Sequence, residues 1–152
     1  MKNLTTDETF ALAVQNHQKN NLQVAEKLYK KVLNIDPDHF KSIHLLGTLS
    51  AQIKNLDQAK QLLNKAITIN PNFSDAHYNL GIVLKELKEY KKEMACYEKA
   101  IQINPNFASA HNNLGNVLKE LKEYKKAMAC YEKAIQINPN FASAHNNLGN
   151  VL

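Results

Sequence analysis

The sequence has no arginine and no tryptophan, only two cysteines, and four glycines and four prolines among 152 residues. Each scarcity narrows what the protein can do. The net charge of +5 and pI of about 9.1 suggest nucleic acid, but every one of the 19 basic residues is lysine. The planar guanidinium fork that grips phosphate or guanine with two parallel hydrogen bonds is therefore missing. The lysines fall in mixed runs such as KELKEYKKE, where Lys85 and Glu89 are four apart and are expected on one helical face. That pattern reads as a solvated helix surface, so no nucleic-acid partner is expected.

Long apolar runs are also missing. No stretch approaches the ~18 residues of a membrane span, and the N-terminus lacks a basic segment leading into an apolar one. The expectation is a cytoplasmic protein with no membrane partner. Cys96 and Cys130 are one repeat apart, and stacked helices ~8–10 Å apart hold their Cα atoms too far from each other for a disulfide, which implies reduced thiols. The glycines lie inside helical patterns, so none forms a phosphate-binding loop. His77, His111 and His145 form a ladder about 10 Å per step rather than a metal-binding cluster, and packing between first helices is the expected role. No Ser or Cys has a His and an acid near it in the repeat geometry, so neither an enzyme nor a cofactor is expected.

What the chain does have is self-similarity. Residues 104–137 repeat residues 70–103 with five substitutions, and residues 94–118 are identical to 128–152. A fixed period of this size marks a solenoid, whose units bury their apolar faces only against their neighbours. Pro37, Pro71, Pro105 and Pro139 recur every 34 residues, giving repeats 6–39, 40–73, 74–107 and 108–141 and a partial unit 142–152 in one solenoid domain, 1–152. After a short tail over 1–5, Thr5-x-x-Glu8 has the form of a capping box and opens a helix through about His17. Asn20-Asn21 breaks it. A second helix runs from Leu22 to about Asn34, with Val24, Leu28, Val32 and Ile35 expected as its apolar stripe, and Asp36-Pro37 ends it. Small residues (Ala13, Gly47, Gly81, Gly115) alternate with large ones (Leu46, Leu80, Tyr97, Tyr131) at fixed spacing, as interdigitating helix ridges require.

These units resemble tetratricopeptide repeats. The period, Leu80-Gly81, Leu84, Tyr97, Ala100 and Pro105 match that family's large and small positions, as do Leu114-Gly115, Leu118, Tyr131, Ala134 and Pro139. The chain departs at His77, His111 and His145, where the family often has Trp, and at Glu93, where it wants Ala. The resemblance implies an all-α, right-handed α-solenoid of helix-turn-helix units, four full repeats plus the first helix of a fifth, that binds proteins or peptides in a concave groove lined by first helices.

Ser74, Asp75, Tyr78, Ile82 and Glu93 of one repeat become Ala108, Ser109, Asn112, Asn116 and Ala127 of the next. Asp75, Tyr78 and Ile82 share one helical face, which the resemblance makes the groove face, so the groove is read as tuned and the shell as structural. Asn79, Asn113 and Asn147 recur in register before the Leu-Gly pair, and HNNLGNVLKE is similar to the superhelical repeats of the O-linked N-acetylglucosamine transferases, in which asparagines here form a ladder. A side-chain amide both donates and accepts, and so can pair with a peptide bond whatever side chain the ligand carries. The expected groove residues are Asn79, Asn113, Asn147, Asn112, Asn116, Tyr78 and Asp75. The basic clamp that some relatives use for a C-terminal carboxylate is not expected, because no lysine pair is evident on the inner faces.

Residues 142–152 end one helix into a unit, so a fragment of a longer protein and head-to-tail self-association through this apolar face are expected. The resulting reading is a non-catalytic module that binds an extended peptide or a partner protein. The alternatives are the substrate-recognition arm of a larger enzyme, such as a glycosyltransferase or sulfotransferase, and a self-assembling structural array.

Overall fold

The computed structural model describes residues 3–152, and among them the regular structure is entirely α-helical. Met1 and Lys2, assigned above to the tail, lie outside the described residues. Contacts divide the chain into two compact units, Met1–Pro71 and Asn72–Leu152. The first contains α1 (Thr6–Gln18), α2 (Leu22–Ile35), α3 (Phe40–Gln52) and α4 (Leu56–Ile69). The second contains α5 (Ser74–Glu86), α6 (Tyr90–Ile103), α7 (Ala108–Glu120), α8 (Tyr124–Ile137) and α9 (Ala142–Val151). Within each unit every helix packs on the next, and in the second α7 also touches α9.

The capping box forms as its spacing requires. The Glu8 amide donates to Thr5 Oγ1 at 3.1 Å and the Thr5 amide to Glu8 Oε2 at 2.8 Å, satisfying two amides that a helix start leaves without partners. Each first helix of a complete repeat ends at a residue with positive φ: Asn20, Lys54, Lys88 and Lys122, at 59–64°. The following amide then returns to a carbonyl five residues back, as in Glu89 to Leu84 at 2.9 Å and Glu123 to Leu118 at 2.8 Å. This is the Schellman closure, which consumes an otherwise orphaned carbonyl. The same turn separates Lys85 from Glu89, so the two do not share one helix as expected. Glu89 pairs with Lys92 at 2.7 Å.

Second helices end in an extended Asp36, Asn104 or Asn138, whose side-chain oxygen accepts from the amide two residues on at 3.2 Å. Proline occupies the position between them, where no amide donor is needed. Two histidines of the ladder make bonds beyond the packing expected of them. His111 Nε2 reaches the Pro105 carbonyl at 2.9 Å and His145 Nε2 the Pro139 carbonyl at 2.8 Å. Each imidazole thus ties a first helix to the turn that precedes it.

The stripe expected on α2 is met in part: Val32 is buried and Leu28 half-buried against the core, whereas Val24 is 48% and Ile35 61% exposed, and Ala25 and Tyr29 are buried in their place. Close approach of two helices selects the face that carries the small residue, and Ala25 lies beside Tyr29 rather than beside Val24 and Ile35. The closest approaches lie at two glycines. A Cβ on Gly81 would fall 2.5 Å from Tyr97 Cε1, and one on Gly115 2.6 Å from Tyr131 Cε1, while at Gly47 the nearest atom, on Leu63, is 3.1 Å away.

Gly81→Ala and Gly115→Ala should each destabilise the protein by about 2 kcal/mol, because a rigid buried ring must move. Gly47→Ala should cost far less, since a leucine can yield and alanine gains about 1 kcal/mol of helix propensity. Urea denaturation of the three variants measures this order. At the turns, Lys122→Gly should stabilise by about 0.5–1 kcal/mol, because glycine adopts positive φ without the strain lysine carries there. A lowered denaturation midpoint would contradict it.

Candidate functional site

All seven expected groove residues lie in the second unit, on α5 (Asp75, Tyr78, Asn79), α7 (Asn112, Asn113, Asn116) and α9 (Asn147). Four of them are joined by hydrogen bonds. The Asn147 amide nitrogen donates to Asn112 Oδ1 at 2.9 Å, that of Asn112 to Asn113 Oδ1 at 3.4 Å, and that of Asn113 to the Tyr78 hydroxyl at 3.3 Å. The line runs from α9 through α7 to α5. Its register follows from the repeat, because Asn147 and Asn113 each reach the residue 35 positions earlier.

The amides are therefore held by one another rather than standing as separate rungs. Asn112, at 5% exposure, is buried and serves as the link. Asn113, Asn147 and Tyr78 are half-buried, with Tyr78 fixed further by the rings of Phe107 (centroids 4.7 Å apart) and Tyr97 (5.9 Å). An amide has two donor hydrogens and two acceptor lone pairs, so each linked asparagine keeps capacity for a ligand. Asn79 is half-buried and Asp75 exposed.

Asn116 has a separate role, accepting from the Tyr131 hydroxyl at 2.8 Å. One repeat earlier the same tyrosine position is Tyr97, and the position of Asn116 is Ile82, which has no acceptor to offer. The buried Tyr97 hydroxyl accordingly lacks a well-formed hydrogen bond, although the Glu93 carboxyl and the Asn113 amide lie close enough to influence it. In that repeat the helix-contact position holds Glu93 instead of the alanine found at 127, and Glu93 is 2% exposed. Burial pushes its carboxyl up to about 7, against the opposing influence of Lys85 and of the nearby Tyr97 hydroxyl.

Glu93 lines a cavity of about 250 Å³ together with Asn116, Val117 and Asn147. Lys85, Tyr90, Lys119 and Glu120 complete the lining. Two lysines thus reach the groove side where none was expected, but two acids accompany them. Glu93 and Val117 are buried, whereas Lys85, Tyr90 and Glu120 are exposed. The cavity is therefore acidic in its depth and basic only in its more open parts. Sequence reasoning singled out Glu93 for its chemistry without finding this cavity. The available signal was that Ile82/Asn116 and Glu93/Ala127 change together between twin repeats.

Among the described residues no group of three His, Cys, Asp or Glu is placed to hold a metal ion, and no helix is long and apolar enough to cross a membrane. Cys96 and Cys130 are free thiols, each pushed up to about 11 chiefly by burial, and thiols so raised are poor nucleophiles.

Helical hairpins in series, with the turns at Pro105 and Pro139 tied to the first helix that follows each, define a helical-repeat solenoid. Models of the tetratricopeptide repeat match residues 17–78, 62–95 and 108–141, and a TPR-repeat model matches residues 84–122. The chain is built of tetratricopeptide repeats. Comparison with curated protein sequences gives no match. Among solved structures, the chain is similar to MamA, with 28% identity over 96% of this chain and 80% of that one and a TM-score of 0.87. It is similar in fold to YrrB, described as a TPR protein with an unusual peptide-binding site, with 22% identity, 97% and 76% coverage and a TM-score of 0.82. It also matches a chain of the Cut9–Hcn1 hetero-tetramer of the APC/C, with 18% identity, covering 98% of this chain and 30% of that one at a TM-score of 0.89.

Because Glu93 is raised in the folded state, the folded protein holds its proton between about pH 4.5 and 7 while the unfolded chain has released it. Stability should fall as pH rises through that window, by about 3 kcal/mol relative to Glu93→Gln, in which this group cannot titrate. Glu93→Ala, which restores the residue found at 127, should stabilise by about 1 kcal/mol at pH 7, the relief of burial being partly offset by the space the side chain leaves. Denaturant midpoints of the three proteins from pH 4.5 to 8 measure both effects. Parallel curves for wild type and Glu93→Gln would refute the first.

Proposed function

We propose that the chain binds an extended peptide, or an extended segment of a partner protein, along the face formed by α5, α7 and α9. The observation that carries this reading is the line of hydrogen bonds from Asn147 through Asn112 and Asn113 to Tyr78. Side chains already held in place lose little conformational freedom when a ligand docks, so more of the interaction energy remains as affinity. Their unused donors and acceptors suit the main chain of a peptide, whose amide and carbonyl recur whatever its sequence. Successive first helices about 10 Å apart match every third residue of an extended chain rising ~3.3–3.6 Å per residue.

The peptide-binding site described for YrrB, which shares the fold, is consistent with such a use. So is the likeness of HNNLGNVLKE to the asparagine-bearing repeats of the O-linked N-acetylglucosamine transferases. The groove set is Asn79, Asn113, Asn147, Asn116, Tyr78 and Asp75, with Asn112 acting as the buried link that positions its neighbours.

Panning a randomised peptide library against the whole chain tests the reading. The selected peptides should bind wild type, and the combined Asn79→Ala, Asn113→Ala and Asn147→Ala variant should bind them at least about tenfold more weakly, a loss of about 1.4 kcal/mol or more. Equal affinity for a variant whose circular dichroism is unchanged would overturn it.

A further inference from the structure

We infer that the cavity beside Glu93 is a specificity pocket for a basic side chain, lysine or arginine, of the bound peptide. The inference rests on the peptide-binding reading for its occupant, but on independent residues for its chemistry. Glu93 is a carboxyl at 2% exposure lining a cavity of about 250 Å³. That is room for about eight water molecules at their share of liquid volume, enough for a long side chain rather than a single solvent molecule. A carboxylate buried this deeply is costly to ionise, and the cost falls when a charged donor enters and hydrogen-bonds to it.

The polarity of the cavity selects the sign of the ligand. An inserted group meets Glu93 in the buried part, while the two lysines, Lys85 exposed and Lys119 half-buried, are carried on flexible stems that can turn to solvent. An anion inserted to the same depth would face the Glu93 carboxylate. Tyr90 and Val117 offer apolar surface to the methylenes of lysine or arginine, while the Asn116 and Asn147 amides line the same cavity. Asn147 also begins the amide line, so a peptide main chain following that line would pass beside the pocket.

The next repeat lacks the device. Ala127 stands where Glu93 stands, and the local tyrosine, Tyr131, bonds to Asn116. Twin repeats that differ in this pair of positions therefore differ in whether they can take a cation, which gives the groove a fixed point at which a basic residue must fall.

The probe is n-butylguanidinium, with uncharged n-butylurea as the control, titrated into the whole chain while backbone amide resonances are recorded. Saturable shifts at Glu93, Asn116 and Val117 with n-butylguanidinium, and shifts about tenfold weaker or absent with n-butylurea, support the pocket. Glu93→Ala, which the twin repeat shows to be compatible with the fold, should abolish them, and Glu93→Gln should weaken them about tenfold. Equal responses to the two probes, or persistence in Glu93→Ala, would overturn the pocket. Library panning separates this failure from that of the wider reading. Peptides that bind without enrichment of Lys or Arg overturn the pocket and leave peptide binding standing, whereas failure to select any peptide overturns peptide binding and, with it, the assignment of a peptide side chain to the cavity.

Discussion

The contact between a glycine on a first helix and a tyrosine on the following second helix is the constraint on which the second unit depends. At Gly81 and Gly115 the ring lies where a methyl group would otherwise be, so the two helices approach as closely as backbone and ring permit. That approach buries Tyr97 and Tyr131 completely. Burying a tyrosine also carries its hydroxyl inward, and a buried hydroxyl needs a partner. How each repeat meets that need shapes the face on which a ligand would rest.

In the repeat containing Tyr131 the partner is Asn116, so this asparagine is fixed by the core rather than left to solvent. In the repeat containing Tyr97 the matching position is Ile82, which offers no acceptor. A carboxyl at the helix contact takes the place of alanine instead. The same scaffold thus supports two polar solutions, one closed on itself and one facing a cavity. The amide line across α9, α7 and α5 follows a similar logic: identical repeats place identical amides one step apart, and each satisfies the next.

Much of this was legible in the sequence. The period of 34, the helix starts at Thr6 and Leu22, the turns at the four prolines and the close contacts at Gly81 and Gly115 follow from residue type and spacing alone. So did the placement of the asparagines on first helices and the oddity of Glu93. The apolar stripe of α2 was right at Val32 and Leu28 and wrong at Val24 and Ile35, since a helix that packs on two sides buries its smallest residues along with its largest, and a count of hydrophobic positions passes over Ala25. The shared helical face expected of Lys85 and Glu89 was lost to a left-handed turn at Lys88, which carries no glycine to announce it. The histidines were assigned to helix packing because the turn carbonyls they reach are invisible to side-chain pattern.

The sequence by itself determined a series of helical hairpins and the set of side chains each presents, because both depend on periods of 3.6 and 34 residues that can be counted. Tertiary structure alone decided which of those side chains bond to one another. The Asn147–Asn112, Asn113–Tyr78 and Tyr131–Asn116 bonds span adjacent helices or adjacent repeats. Their formation depends on separations of a few tenths of an ångström that helix packing sets and no spacing along the chain encodes. The cavity at Glu93 arises in the same way, from the distance at which α5, α6, α7 and α9 come to rest.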